Sequence, residues 1–240
     1  MNDNYLVARD VCKTYKDESK KVRALDGISV ELKKGRSTAI IGPSGAGKST
    51  LLHILGGLDR PTSGHVLLDS VDIYRLPDKR RALIRNARIG FVFQFYHLLP
   101  ELTVYENVFL PTLIAGKANK PWVKEVLKRV RLWNRRTHYP SELSGGEQQR
   151  VAIARSLVNH PAVVFCDEPT GNLDPETAGS VMALLNELNQ QEGQAFLIVT
   201  HDEEMASRYE RSYRLQNGVL FSGQSMVPRP ETIINNKPVL

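Results

Sequence analysis

Short apolar runs alternate along this chain with longer segments of helical periodicity. Apolar or β-branched runs bounded by turn residues predict strands over residues 36–41, 88–93, 162–166 and 195–199. Most of these runs are continuously apolar, which is typical of strands that are covered on both faces. Apolar positions at helical spacing predict helices over residues 48–57, 121–131, 146–159 and 176–190. This order predicts an α/β fold with a mainly parallel core sheet.

The two ends of the chain follow a different pattern. Residues 5–35 and 64–74 alternate apolar and polar positions, as antiparallel strands do. The Asn-Gly pair at 217–218 is a turn signal of β-hairpins. We expect an antiparallel β subdomain on the N-terminal side. We also expect residues 1–227 to form one domain and residues 228–240 to form a C-terminal tail.

Length and composition restrict the class of protein. The chain has 240 residues, of which 41% are hydrophobic, enough to bury a sizeable core in one large domain or two tightly joined lobes. Cys12 and Cys166 cannot form a disulfide framework, so a reduced interior fits best. The first residues lack the layout of a signal peptide, and the apolar runs fall far short of the ~20 residues that span a bilayer. We expect a chain that is neither secreted nor transmembrane.

Two stretches concentrate the positive charge of the chain, whose net charge is +6. Residues 75–88 hold six basic residues against one acid, and residues 120–136 hold seven against one. The simplest explanation of these basic stretches is that they are solvent-exposed faces of helices. Contact with anionic lipid headgroups or with an acidic partner is the alternative. Nucleic acid is the least favoured partner, because no aromatic-interleaved or zinc motif accompanies the charge.

The segment between the predicted strand at 36–41 and the helix after it fits a phosphate-binding loop. It matches G-x-x-x-x-G-K-[ST] and consists of Gly42, Pro43, Ser44, Gly45, Ala46, Gly47, Lys48, Ser49 and Thr50. Glycines let backbone N–H groups turn toward phosphate oxygens at the positive end of a helix. Lys48 then supplies a charge for the β- and γ-phosphates, and Ser49 a hydroxyl ligand for Mg²⁺. A merely flexible turn, the alternative, does not explain Lys48 and Ser49 in register.

Adjacent carboxylates end the predicted strand at 162–166. Asp167 is placed to hold the coordinated water of a metal, and Glu168 to polarise an attacking water. Two carboxylates beside an apolar strand are costly unless a cation or a proton-transfer role compensates. The alternative is a helix-capping acidic pair, but Pro169 and Gly171 interrupt any helix that follows.

Polar residues also follow two other predicted strands. Gln94 comes after the strand at 88–93, and His201 comes shortly after the strand at 195–199. A single glutamine or histidine after a strand is usually an exposed residue with no role in binding. Open parallel sheets bind ligands at the carboxyl ends of their strands, however. Together with the phosphate loop and the acidic pair, these residues predict one nucleotide site at one edge of the sheet.

Residues 143–150 read Leu-Ser-Gly-Gly-Glu-Gln-Gln-Arg. Ser144 and Glu147 have the spacing of a capping box for the helix that follows. Capping does not explain Gly145 and Gly146, whose backbone freedom is costly unless something must approach the backbone. We interpret this helix end as a second phosphate-binding site.

In this combination and order, the motifs resemble the ATPase subunit of ATP-binding cassette (ABC) transporters. The resemblance runs from Tyr15 to about residue 222 and comprises the Walker A loop at 42–50, Gln94 of the Q-loop, the signature at 143–147, Walker B at 163–168, the D-loop at 171–174 and the switch residue His201. It implies a P-loop NTPase fold with an N-terminal antiparallel β subdomain and a helical signature subdomain at about 95–160.

The resemblance implies a head-to-tail dimer that sandwiches two ATP molecules. The Walker A loop of one subunit then faces residues of the other, namely Ser144, Gly145, Gly146, Glu147 and Asp174. Gln94 is implied as an Mg²⁺ ligand together with Ser49 and Asp167. Tyr15 is implied to stack on adenine, with a simple strand-edge tyrosine as the alternative.

The resemblance also implies the reaction and the partner. ATP is hydrolysed to ADP and phosphate, with Glu168 activating water and His201 holding the γ-phosphate. The Q-loop and the helical subdomain are implied to contact a separate membrane permease at the cytoplasmic face of a bacterial inner membrane. Residues 52–59 and 94–100 look most like the lipoprotein-releasing branch, whose permeases are of the LolC/LolE type. The MacB-type macrolide exporters and the regulatory division ATPase FtsE are the alternatives.

Other classes of ABC protein fit less well. Translation ATPases usually carry two cassettes in one chain, whereas 240 residues hold one. DNA-repair types insert a long coiled coil, but Lys48 and Ser144 are 96 residues apart without sustained heptads. We therefore expect no nucleic-acid partner.

Overall fold

A computed structural model describes residues 4–16 and 21–222 of the chain. Its strands are β1 (Asn4–Lys16), β2 (Lys21–Lys33), β3 (Ser37–Ile41), β4 (Ser63–Leu68), β5 (Val71–Asp72), β6 (Ile89–Val92), β7 (Val163–Asp167), β8 (Ala195–Thr200), β9 (Arg211–Gln216) and β10 (Val219–Ser222). Its α-helices are α1 (Lys48–Leu55), α2 (Asp78–Arg88), α3 (Val104–Ile114), α4 (Lys120–Arg129), α5 (Gly145–Leu157), α6 (Pro175–Glu192) and α7 (Glu203–Ser207). The predicted tail at 228–240 and the domain boundary before it lie outside the described residues.

The strands form two sheets. Six strands in the order β10-β9-β3-β8-β7-β6 make the core sheet, in which all neighbours are parallel except the β9–β10 hairpin. The other sheet, β2-β1-β4-β5, is antiparallel throughout. The prediction of a mainly parallel core with an antiparallel β subdomain is confirmed. No helix among the described residues is long and apolar enough to cross a membrane.

Strands β7 and β8 are apolar except at their last residues, Asp167 and Thr200, because each face of these strands is buried in a different cluster. On β8, Phe196 and Ile198 pack into the cluster formed with α3, α4, α5 and α6. Leu197 and Val199 pack into the cluster shared with α1 and the antiparallel sheet. Alternate side chains of a strand point to opposite faces, so one continuous apolar run supplies both cores.

The strand register brings the carboxyl ends of the core strands to one edge. Ile41 pairs with Thr200, Asp167 pairs with Val199, and β6 runs in register with β7. The residues that follow β3, β6, β7 and β8 therefore emerge side by side. This places the phosphate loop, Gln94, the acidic pair and His201 in one neighbourhood, as we predicted.

The helices differ from the prediction in number and in extent. Helices α2, α3 and α7 are absent from the predicted set, and α3 carries Pro111 within it. Helix α4 ends at Arg129 rather than at Arg131, which has a φ of 61° in the left-handed region and cannot continue an α-helix. The basic stretch at 75–88 is helical from Asp78, but it is not wholly solvated, because Arg81 is 9% exposed and pairs with Asp78 at 2.7 Å.

Candidate active site

The phosphate loop is a tight turn between β3 and α1. Gly45 and Gly47 have φ values of 78° and 103°, which favour glycine. A Cβ atom at Gly42 would lie 2.3 Å from the carbonyl oxygen of Leu215, so this position admits no side chain. Helix α1 begins directly at Lys48, and its N-terminus opens onto the loop. Backbone N–H groups at such a helix end bind anions.

Lys48 is held above this loop. Its side chain is 8% exposed, and its Nζ donates to the carbonyl oxygens of Gly42 at 2.8 Å and Pro43 at 3.2 Å. The same nitrogen lies 3.4 Å from Oε1 of Glu168. A nearly buried ammonium group between the loop and a carboxylate is placed to receive phosphate oxygens.

Asp167 faces the start of α1 from the end of β7. Burial raises the pKa of its carboxyl group, and a hydrogen bond with the Ser49 hydroxyl opposes that rise. Since burial disfavours the carboxylate, a bound cation would stabilise it. Ser49, Asp167 and the amide of Gln94 offer oxygen atoms only, which suits Mg²⁺. The described residues contain no group of three or more His, Cys, Asp or Glu side chains that could hold a metal. Mg²⁺ usually keeps several waters and is shared with substrate phosphates, so a few protein oxygens are enough to bind it.

Glu168 is the most constrained acidic residue of the site. Its φ is 45°, in a region that non-glycine residues rarely occupy. Its side chain is 13% exposed, and Oε2 lies 2.9 Å from Nδ1 of His201. Backbone strain of this kind clusters at functional sites. The carboxylate is thus held between Lys48 and His201.

Gln94 is paired across the site with the D-loop. Its Nε2 donates to Oδ1 of Asn172 at 3.2 Å, and Nδ2 of Asn172 donates to the backbone carbonyl oxygen of Gln94 at 3.1 Å. A Cβ atom at Gly171 would lie 2.8 Å from Gln94 Nε2, so that glycine allows the pairing. Because the amide nitrogen is engaged with Asn172, the amide oxygen is the atom of Gln94 available to a metal.

A cavity of about 540 Å³ lies over the phosphate loop. The predicted residues on its wall are Ser44, Gly45, Gly47, Lys48, Ser49, Thr50, Gln94, Asp167 and Glu168. The remaining loop residues, Gly42, Pro43 and Ala46, are not on its wall, and His201 contacts the wall residue Glu168. The structure therefore brings the phosphate loop, the acidic pair, Gln94 and His201 together.

Sequence analysis missed one wall of the cavity. Val22, Arg23 and Ala24 of β2 line it, together with the Asn-Gly turn at 217–218. That turn is the predicted hairpin turn, and the amide of its glycine donates to the carbonyl oxygen of Ala46 at 3.2 Å. The turn signal was visible in the sequence, but nothing there indicated that the hairpin docks on the phosphate loop.

Tyr15 stands beside the cavity rather than on its wall. It is cross-strand from Val22, and its hydroxyl is hydrogen-bonded to Thr50 and, at 2.8 Å, to Oδ2 of Asp59. Its ring is 43% exposed, and Nζ of Lys13 lies 4.7 Å from the ring centroid. An exposed aromatic ring next to the phosphate loop is available to stack on a base.

The signature residues lie apart from this cavity. Ser144 and Glu147 form the predicted capping box, with the Ser144 amide donating to Glu147 at 2.9 Å. They border a second cavity together with Gly146 and Thr177, and no residue on its wall is shared with the phosphate-loop cavity. Asp174 caps α6 through the amides of residues 176 and 177. Within one chain the structure does not bring these residues to the phosphate loop.

The two signature glycines have neighbours inside the chain. A Cβ atom at Gly145 would lie 2.9 Å from the Tyr96 hydroxyl, and one at Gly146 would lie 2.4 Å from Cγ2 of Thr177. Close packing against Thr177 therefore already favours glycine at 146, and the end of the Tyr96 side chain leaves little room at 145. The glycine pair is therefore explained by packing within the chain, and it is not by itself evidence for a phosphate ligand.

Comparisons with known proteins agree on one family. A family model described as ABC transporter matches residues 25–171. The lipoprotein-releasing system ATP-binding protein LolD of Legionella pneumophila (strain Lens) is 50% identical over 225 residues, which cover 92% of this chain and 99% of that protein. LolD of Shewanella frigidimarina (strain NCIMB 400) is 49% identical over 218 residues, which cover 90% and 91%.

Solved structures give the same result. The dimeric structure of a post-hydrolysis state of the ATP-binding cassette MJ0796 bound to ADP and Pi matches with a TM-score of 0.82 at 41% identity, over 89% of this chain and 95% of that one. The parallel sheet, the phosphate loop and the acidic pair define a P-loop nucleoside triphosphatase. The chain belongs to the ABC transporter family, as an ATP-binding cassette that hydrolyses ATP.

Proposed function

We propose that this chain is the ATPase subunit of a transporter that releases lipoproteins from the inner membrane of a bacterium toward its outer membrane. The observation that carries the proposal is 50% identity to a lipoprotein-releasing ATPase over 92% of the chain. The convergence of the phosphate loop, the acidic pair and His201 on one cavity supports an active ATPase rather than a subunit with a dead site.

In the proposed reaction, Glu168 acts as the general base toward water. Its carboxylate is oriented by His201 at 2.9 Å and balanced by Lys48 at 3.4 Å. Lys48 and the loop amides would hold the β- and γ-phosphates, and His201 would move from Glu168 to the γ-phosphate once ATP is bound. Ser49, Asp167 and Gln94 would hold Mg²⁺, which neutralises phosphate charge when bound.

The proposed working unit is a head-to-tail dimer. Ser144, Gly145, Gly146, Glu147 and Asp174 of one copy would contact the ATP held by the Walker A loop of the other. These residues lie away from the phosphate-loop cavity of their own chain. A contact between them and ATP would therefore involve ATP bound to the other copy, which supports a dimer. The dimeric state of the MJ0796 cassette structures supports it as well.

The proposed docking surface for the permease is an apolar groove beside the Q-loop. The groove measures about 460 Å³ and is bordered by α2, β6, α3 and α5. Phe93, Pro111 and Ile114 line it, and Phe95 beside it is 68% exposed. Exposed apolar side chains of this kind mark a protein contact. We propose that a permease of the LolC/LolE type docks here and holds the chain at the cytoplasmic face of the inner membrane, with no nucleic-acid partner.

Capture and reconstitution test this function. The full chain is captured from detergent-solubilised membranes, and its co-purifying permease is reconstituted in vesicles that contain a lipoprotein. We expect ATP-dependent release of the lipoprotein, and none with a non-hydrolysable analogue. Export of a macrolide without lipoprotein release would indicate a MacB-type function instead. Recovery of ribosomal or other non-membrane proteins alone would contradict transport.

Tyr15 provides a separate test of the nucleotide pocket. If its ring stacks on adenine, Tyr15→Ala should raise the KM for ATP by about tenfold while kcat stays near the wild-type value. Tyr15→Phe is the matched control, because it keeps the ring and loses only the hydroxyl bonds to Thr50 and Asp59. Steady-state kinetics distinguish the two roles. Equal losses in both variants would assign the effect to the hydroxyl and not to stacking.

A further inference from the structure

A fully buried amide lies between the signature helix and the loop that follows Glu168. Gln149, on α5, is 0% exposed, and its Nε2 donates to the carbonyl oxygen of Pro169 at 2.6 Å. Its Oε1 is buried without a hydrogen-bond partner among the described residues. A buried, unpaired amide oxygen destabilises a fold, and an apolar side chain of similar size would avoid that penalty. The hydrogen bond from Nε2 to Pro169 is what an amide provides at this position and an apolar side chain could not.

Pro169 directly follows Glu168, whose backbone conformation is strained. The amide of Glu168 donates to the carbonyl oxygen of Val199 at 3.0 Å, and its own carbonyl accepts from the amide of Gly171 at 3.0 Å. Such a φ of 45° persists only where the surroundings hold it in place. The hydrogen bond from Gln149 to the carbonyl oxygen of Pro169 holds the residue that follows Glu168. Of these three hydrogen bonds, it is the one whose donor is a side chain.

We propose that Gln149 is a positioning residue for ATP hydrolysis. Its bond to Pro169 holds the Glu168 backbone in the left-handed conformation, and thereby the carboxylate between Lys48 and His201. The inference rests on the proposed catalytic role of Glu168. It identifies a residue that touches neither ATP nor the reacting water and acts through the peptide next to the base.

The same bond connects two functional elements of one chain. Gln149 lies five residues after Ser144, less than two turns along the same helix. In the proposed dimer, Ser144 serves the ATP of one site and Glu168 acts in the other. If α5 moves when Ser144 binds ATP, the hydrogen bond between Gln149 and Pro169 would therefore transmit that movement to Glu168.

The test replaces only the amide. Gln149→Met keeps the length of the side chain and removes the donor, and Gln191→Met is the matched control, since Gln191 lies exposed on α6 and donates to Oε1 of Glu187 at 3.1 Å. For the full chain, kcat and KM are measured together with the Kd for a non-hydrolysable ATP analogue and the thermal midpoint. We expect Gln149→Met to lower kcat by about tenfold with the Kd unchanged, because a misplaced base slows chemistry and not binding. Gln191→Met should match the wild type.

A wild-type kcat in folded Gln149→Met would overturn the proposal. A loss that falls equally on the Kd and on kcat would also overturn it, because that outcome describes a binding or folding defect. If Gln149→Met does not fold, Gln149→Asn keeps an amide on a shorter side chain and should show the same reduction of kcat alone. Full activity of a Glu168→Gln variant would instead remove the catalytic role of Glu168, so the two failures are distinguishable.

Discussion

Replacement of Glu168 by glutamine is expected to reduce steady-state ATP hydrolysis by about 100-fold or more while ATP binding is retained. The substitution preserves the shape of the side chain and its place between Lys48 and His201, and it removes the basic oxygen that accepts a proton from water. It also removes a negative charge 3.4 Å from Nζ of Lys48. Loss of that charge leaves Lys48 free for phosphate, so affinity for ATP should not fall.

Phosphate release and the binding of labelled ATP measure these two effects separately. Glu204→Gln is a suitable control, because Glu204 is an acidic residue just beyond His201 whose side chain is 83% exposed and pairs only at the surface with Arg208. It should leave both quantities at wild-type values, since exposed ion pairs contribute little. Hydrolysis by Glu168→Gln at more than half the wild-type rate would assign the general base to another group.

Four strands of the core sheet, β3, β6, β7 and β8, and the residues at their ends are predictable from local sequence. Strands β7 and β8 are short, bounded by turns and apolar except at their last residues, Asp167 and Thr200, because both of their faces are buried. Parallel neighbours then emerge at one edge whatever their order, so Gln94, Asp167 and His201 are brought together without any knowledge of long-range contacts. The catalytic constellation follows from element type alone.

The rest of the site depends on contacts between distant segments. Arg23 and the Asn-Gly turn at 217–218 reach the phosphate loop through the docking of a hairpin, for which no local pattern exists. Helix α3 escapes prediction because Pro111 interrupts its pattern, although Thr103 and Glu106 form a capping box at its start. That box, which the spacing of the two residues encodes, is the signal that would have located the helix.

The signature glycines have neighbours within the chain as well as a predicted ligand. Their backbone freedom implied that something approaches the helix end, and the structure supplies Tyr96 and Thr177 from the same chain. Glycine at 145 and 146 is therefore compatible with an ATP contact in a partner, but it does not demand one. A decision between a site within one chain and a site shared by two chains needs an experiment in which the two halves lie on different molecules.

Mixing two inactive chains provides that experiment. Lys48→Ala removes the phosphate-binding cation, and Ser144→Arg places a bulky group at the signature helix end, so each variant alone should lose about 100-fold of ATPase activity. In a head-to-tail dimer formed by both variants, one site combines the intact Walker A loop of one chain with the intact signature of the other. An equal mixture should therefore recover about a quarter of the wild-type activity, since half of the dimers are mixed and one of their two sites is complete.

Two features of the chain make this mixing result decisive. Ser144 also caps α5, so Ser144→Arg destabilises the helix by about 1 kcal/mol, and Ser141→Arg is the control for an added arginine at an exposed serine nearby. Ser141→Arg should remain active by itself. A site contained within one chain predicts no recovery on mixing at any ratio, because neither variant possesses both halves. Activity that grows with the product of the two concentrations, and disappears when either chain is omitted, is the result expected of a shared site.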